Sequence, residues 1–195
     1  MGLAQQWLSV WEAAGEHEAA FVFEDDVEVL YGALTIVVLE EFAWKSAGKP
    51  LLYGVCLQKQ HLDPNHYPRR MHARNGNRPF LYSLIGSWGP LLLPNAWRAF
   101  LEWQQWRSAQ FTTGTSGAPE TENLVINHFL QQNPNIWTPW HVRFAYETGA
   151  KCLYSNLPAE LGLVANHREK GENYDTAAGP DAQLLQSVDI SHSWM

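Results

Sequence analysis

The sequence, 195 residues long, is short of cysteine, of charge and of long apolar runs. Cys56 and Cys152 are its two cysteines. Two thiols cannot make a disulfide framework and are too few for a four-thiolate zinc centre. Both lie in apolar, strand-like runs, which predicts buried free thiols. Charged residues are only 17%, with 13 Lys and Arg against 20 Asp and Glu. The net charge of -7 lacks the broad positive field that non-specific nucleic-acid binding needs, and it disfavours an anionic membrane surface. No apolar stretch is long enough to cross a bilayer. Met1 to Gly15 has no basic start followed by an apolar run, so no signal peptide is expected. The expectation is a soluble, cytoplasmic chain, unless a longer parent protein carries an anchor. GxGxxG, Walker lysine, HExxH and nucleophile-elbow motifs are all missing, which removes support for those enzyme classes.

What is present suits a globular core. Hydrophobic residues are 46%, and ten residues are Trp. The length predicts one domain over residues 1–195. Leu3, Trp7 and Trp11 recur at helical spacing, with Gly15 as the expected C-cap. Ala19 to Phe23 reads as a strand buried on both faces, ending in Glu24, Asp25 and Asp26. Leu34 to Ala47 reads as a helix, and Leu51 to Leu57 as a second buried strand. His61 to Pro79 is a long loop whose arginines suit an anionic ligand or plain solvent. Phe80 to Ile85 and Leu91 to Leu93 read as strand on either side of Gly86, Ser87, Trp88 and Gly89. Pro94 and Asn95 open a helix running to about Arg107. Thr112 to Pro119 reads as a flexible connection, and Glu120 to Gln132 as a helix with acids in its first turn. Arg143 to Tyr146 and Lys151 to Tyr154 read as short strands around a turn at Gly149, and the chain is irregular from Asn156. Strands alternating with helices predict a layered α/β fold.

Three adjacent carboxylates at the carboxyl end of a buried strand repel one another, and ligands of open α/β sheets bind at such ends. A hard divalent cation is their natural partner, and it could hold a diphosphate. The alternative is a solvated strand end. Trp88, between two glycines, suits either a sugar face or the core. Trp97, Trp103 and Trp106 follow a packing pattern along one helix. Trp137 and Trp140, near Pro134 and Pro139, read as loop residues lining a cleft.

The run Phe21 to Val27 resembles the acidic motif of glycosyltransferases with the GT-A fold. It is most similar to the EDD form of the lipopolysaccharide and procollagen galactosyltransferase-like group. The resemblance extends to Gly86–Pro94, Pro119–Leu124 and Asn166–Gly171. It implies a GT-A-like mixed sheet flanked by helices. It also implies metal-dependent transfer of a sugar from a UDP- or GDP-linked donor to a hydroxyl of a glycan or other acceptor. Asp26 would be the direct ligand of Mn2+ or Mg2+, Asp25 the second carboxylate near the sugar or ribose, and Glu24 a supporting residue. His167 would complete the metal site, with Arg168 and Lys170 on the phosphates. Gly86, Trp88 and Gly89 would border the sugars. Glu122, or else Glu120, would be the catalytic base. Only 23 residues precede Glu24, far fewer than a GT-A enzyme carries there. The usual N-terminal nucleotide-binding half is therefore expected to be missing, reduced, or supplied by another chain or a second copy. Two rivals stand beside this reading. One is a glycoside hydrolase using carboxylates such as Asp26 and Glu122 across one cleft. The other is a non-catalytic remnant that binds glycans or a partner protein.

Overall fold

The computed structural model describes residues 3–30, 52–59, 63, 71–111, 127, 136–167, 169–170, 175–176 and 180–186. In chain order the elements are α1 (Leu3–Leu8), β1 (Ala20–Phe21), β2 (Val27–Val29), β3 (Leu52–Cys56), β4 (Phe80–Tyr82), β5 (Pro90–Leu92), α2 (Pro94–Phe111), α3 (Thr138–Thr148), β6 (Lys151–Tyr154), a 3-10 turn at Pro158–Glu160, and β7 (Val164–Asn166). Five strands form a mixed sheet in the order β1-β5-β3-β6-β4. Only β3 and β6 are parallel within it; the other neighbours are antiparallel. Strands β2 and β7 form a separate antiparallel ribbon. The result is an α/β domain with a mixed sheet flanked by helices.

Side chains divide the sheet into two faces, and a register irregularity between Leu52 and Gly54 breaks the alternation of β3 so that Tyr53 and Val55 fall on opposite sides. Tyr53, Leu92, Cys152 and Tyr154 share a core with Ala96, Trp97 and Phe100 of α2 and with Trp140 and Phe144 of α3. Val55, Leu91 and Leu153 share the opposite core with Leu163 and Val164, against which Val27 and Val29 also pack. The helices thus cover one face and the β2–β7 ribbon the other. Every residue of β3 is buried, as its uninterrupted apolar run predicts. Trp97 and Phe100 are fully buried. Rings of this size remove about 200 Å² each from water, an upper bound of roughly 5 kcal/mol apiece. Both cysteines are buried free thiols, as expected.

Several local expectations change. Helix α1 ends at Leu8 rather than near Gly15. The Ser9 hydroxyl bonds back to the Gln5 carbonyl at 2.8 Å, and the Trp11 carbonyl accepts the Trp97 indole at 3.0 Å. The first bond closes the helix locally, and the second gives a tertiary partner to a carbonyl that a longer helix would use. Strand β1 is a half-buried edge of two residues, not a strand buried on both faces. Phe80 to Ile85 is strand only as far as Tyr82. Arg143 to Tyr146 lies in α3, where His141, Phe144 and Ala145 are buried and continue the helical spacing of the buried N-cap residue Trp137. Trp137 and Trp140 are accordingly core residues rather than cleft residues. Pro139, read as a loop residue, sits in the first turn of α3, where its missing N–H costs nothing. Gly149 does end that helix in the left-handed conformation, at φ 71°. Trp106 is 55% exposed, so the packing pattern on α2 stops short of it. The helix expected at Leu34 to Ala47 and the connection at Thr112 to Pro119 lie outside the described residues. Of Glu120 to Gln132 only Asn127 is described, and it is helical.

Candidate functional site

The acidic turn is placed by two ladders. Upstream, β1 pairs with β5, and the Val22 N–H continues that ladder to the Pro90 carbonyl at 3.1 Å. The chain then turns through Glu24, Asp25 and Asp26, closed by the Val27 N–H on the Glu24 carbonyl at 3.3 Å. Downstream, β2 pairs with β7, matching Val27 with Asn166, Glu28 with Ala165 and Val29 with Val164. One further bond extends this ribbon: the His167 N–H donates to the Asp26 carbonyl at 2.9 Å. The late histidine and the acidic turn are therefore adjacent.

Alternation along both strands gives Asp26, Glu28, Ala165 and His167 a common face. There the His167 Nε2 lies 2.7 Å from Glu28 Oε2. Glu28 and Ala165 also line an open groove of about 610 Å³, walled opposite by residues 180–186. That volume falls within the range of small-molecule sites. The 180–186 wall is tied to the ribbon by the Asp181 N–H on the Asn166 carbonyl at 3.1 Å and the Leu185 N–H on the Gly162 carbonyl at 3.1 Å.

The three acids have distinct environments. Glu24 is half-buried, and its carboxyl is pushed above the usual range, first by desolvation and then by the charges of Asp26 and Asp25. The Trp7 side chain hydrogen-bonds this carboxylate and partly opposes the shift. Glu24 thus ties the turn to Trp7 of the core while remaining partly exposed. Asp25 is exposed. Asp26 is half-buried, and its Oδ1 is buried without a hydrogen-bond partner among the described residues. A buried carboxylate oxygen in that state is short of a donor or a cation. Carboxylate oxygens are the donors that Mn2+ or Mg2+ prefers, so Asp25 and Asp26 fit such an ion in chemistry, whereas the His167 imidazole is a donor better matched to softer ions. As arranged, however, the described residues contain no group of three His, Cys, Asp or Glu side chains converging on one point.

The glycine loop lies close by. The Leu57 N–H donates to the Gly89 carbonyl at 3.3 Å, beyond the carboxyl end of β3. Gly89 has φ +69°, and a Cβ there would sit 2.9 Å from the Phe23 ring, next to Glu24 in sequence. A Cβ on Gly86 would lie 2.5 Å from Gln58 Oε1. Both glycines therefore make room for side chains of this chain itself. Trp88 is half-buried and packs into the core beneath the β2–β7 ribbon. Lys170 is exposed. Arg168, Glu120 and Glu122 lie outside the described residues. Glu28 escaped sequence reading, although its position two residues beyond Asp26 places it on the same face of any strand. Comparison of the chain with protein-family models, curated protein sequences and solved structures gives no match.

Proposed function

We propose that this chain is a GT-A-like domain that transfers a sugar from a nucleoside-diphosphate donor to a hydroxyl acceptor, with the donor bound at the β2–β7 ribbon. The observation that carries the reading is the His167–Asp26 backbone bond. It joins the acidic turn to the late histidine; Glu28, on the same face of the ribbon, lines a groove of ligand size, and Asp26 carries a buried oxygen without a partner among the described residues. Asp26, Asp25 and His167 would hold Mn2+ or Mg2+, which when bound offsets the charge of a departing diphosphate. Lys170, with Arg168, supplies positive charge to the phosphates, and Arg can do so through paired hydrogen bonds. Trp88 and the Gly86–Gly89 loop border the sugars. Glu122, or Glu120 in its place, takes the proton of the acceptor hydroxyl, which requires hydrogen-bond reach to that oxygen.

A second reading is favoured by one contact. The His167 Nε2 is engaged by Glu28 at 2.7 Å, a contact that occupies the nitrogen a cation would use. On that reading the chain is a non-catalytic glycan- or protein-binding relative. Calorimetric titration of UDP and of GDP, each with and without Mn2+, separates the two. Manganese-dependent binding of either nucleotide supports the transferase, and no binding under any condition sinks it.

A further inference from the structure

A second pocket, with no lining residue in common with the groove beside the ribbon, lies beyond the carboxyl ends of the parallel pair β3 and β6. Ligands of open α/β sheets bind outside such ends. After Cys56 the chain continues to Lys59, and after Tyr154 to Ser155 and Asn156. The cavity between them has a volume of about 120 Å³ and is lined by Lys59, His72, Phe80, Ser155, Asn156 and Glu160, among others.

Its polar groups are held in place. Lys59 is only 8% exposed, and its Nζ sits 3.3 Å from Glu160 Oε2. His72 Nδ1 lies 3.7 Å from the other oxygen of Glu160. The Asn156 amide donates to the Ala73 carbonyl at 2.9 Å and to Asn75 Oδ1 at 2.6 Å, fastening the loop wall to the end of β6. Glu160 is presented by strained backbone: Ala159 and Glu160 are consecutive non-glycine residues at φ 54° and 59°. Such strain gathers at ligand clamps because the surrounding structure must maintain it.

We propose that this pocket binds a neutral polyhydroxylated ring of pyranose size, with a vicinal diol bridging the paired Lys59 ammonium and Glu160 carboxylate from the cavity side. The charges select the class. A cation meets Lys59, and an anion meets Glu160 at the same ammonium. An apolar ligand would strip water from both without replacing its bonds. The lining is mainly polar, and ring hydroxyls reproduce the hydrogen bonds of the waters they displace. One hydroxyl donates to the carboxylate while its neighbour accepts from the ammonium. Phe80 supplies an apolar wall for the ring carbons. None of this depends on sugar transfer at the acidic turn.

The test is amide NMR of the full chain, without metal or nucleotide. It is titrated separately with methyl α-glucoside, methyl β-galactoside and methyl α-mannoside, and with cyclohexanol and inorganic phosphate as controls. At least one glycoside should shift the Ser155, Asn156 and Glu160 amides saturably, and neither control should. Lys59→Met and Glu160→Gln should each weaken that binding about tenfold or more. Lys59 is buried and its variant can fail to fold, but Glu160 is 57% exposed, so Glu160→Gln keeps the test. No saturable shift with any glycoside overturns the proposal. So does binding of phosphate or cyclohexanol as tight as the best glycoside, or unchanged affinity in a folded Glu160→Gln.

Discussion

The His167 main chain donates to the Asp26 carbonyl at 2.9 Å, so residues from opposite ends of the chain are neighbours through their backbones. Side-chain changes at either position leave that bond intact. Asp26→Asn and His167→Ala should therefore fold with nearly unchanged melting temperatures, since the half-exposed His167–Glu28 pair is worth ~1 kcal/mol at most. Each should lower manganese-dependent nucleotide affinity by more than about tenfold, a loss that even outer-shell changes at metal sites can produce. Calorimetry beside a thermal melt checks both halves. Unchanged affinity in Asp26→Asn would remove that residue from the ligand set.

Local signals are clear where one face or both are buried over several residues. Strand β3, helix α2 and strand β6 announced themselves by uninterrupted apolar runs or by helical spacing. The misreadings share a cause. Arg143 to Tyr146 is a short window rich in aromatic residues, which favour strands, and only the longer span from Trp137 to Ala145 shows the helical period. The β2–β7 ribbon is two strands of three residues whose pairing is wholly long-range, so no local window contains it. The adjacency of Asp26 and His167 came from family resemblance rather than periodicity. The Lys59–Glu160 pair had no signal at all, because it depends on strand order and on two strained residues.

His141 is the basis of a pH prediction. Its ring is fully buried and lies 3.9 Å from the Tyr53 ring, with Phe100, Trp137 and Phe144 around it. Neither nitrogen has a hydrogen-bond partner among the described residues. Burial pushes its pKa down to about 3, from an unperturbed value of 6.5. Between those values the unfolded chain binds the proton and the native one does not. Stability should thus fall as pH drops below about 6.5, with a slope approaching ~1.4 kcal/mol per pH unit, and level off near pH 3. His141→Leu removes both unpartnered nitrogens. It should flatten that part of the profile and stabilise the protein by about 1–3 kcal/mol at pH 5. Urea unfolding of the two proteins across this range gives the difference directly. Parallel profiles would show that His141 does not titrate on unfolding.

Glu147 links α2 to α3 and titrates in the usual carboxylate sense. It accepts hydrogen bonds from Arg143 at 2.8 Å and Trp103 at 2.9 Å, and also from Arg107. Desolvation pushes its carboxyl up, but these three donors outweigh it and hold the carboxyl below its ordinary value of 4.5. Its contribution is complete above that value and is lost as pH falls through the folded-state pKa. Glu147→Gln should cost about 1 kcal/mol at pH 7, a modest sum because the cluster is partly screened by solvent. The deficit against the parent should shrink in acid, once the parent carboxylate is itself protonated. Chemical denaturation at pH 7 and pH 3 measures both. An equal deficit at the two values would mean that shape rather than charge makes the link.

Two glycines should respond oppositely to the same substitution. Gly54 lies in the middle of β3, where a Cβ would come within 2.4 Å of the Leu91 backbone carbonyl on β5. Backbone on a neighbouring strand cannot swing aside as a side-chain tip can. Gly54→Ala must therefore push β5 away from the centre of the sheet, where Gly54 faces Leu92 in register. It should destabilise the protein by more than about 3 kcal/mol, at the severe end for a single substitution. Gly15 has nothing within 4 Å of such a Cβ, and its backbone is outside the left-handed region. Gly15→Ala should be neutral or stabilise by about 0.4–1 kcal/mol, through the lower entropy of the unfolded chain. Equilibrium denaturation of both variants checks the contrast. A mild effect at Gly54 would show that β3 and β5 are not packed backbone to backbone as described.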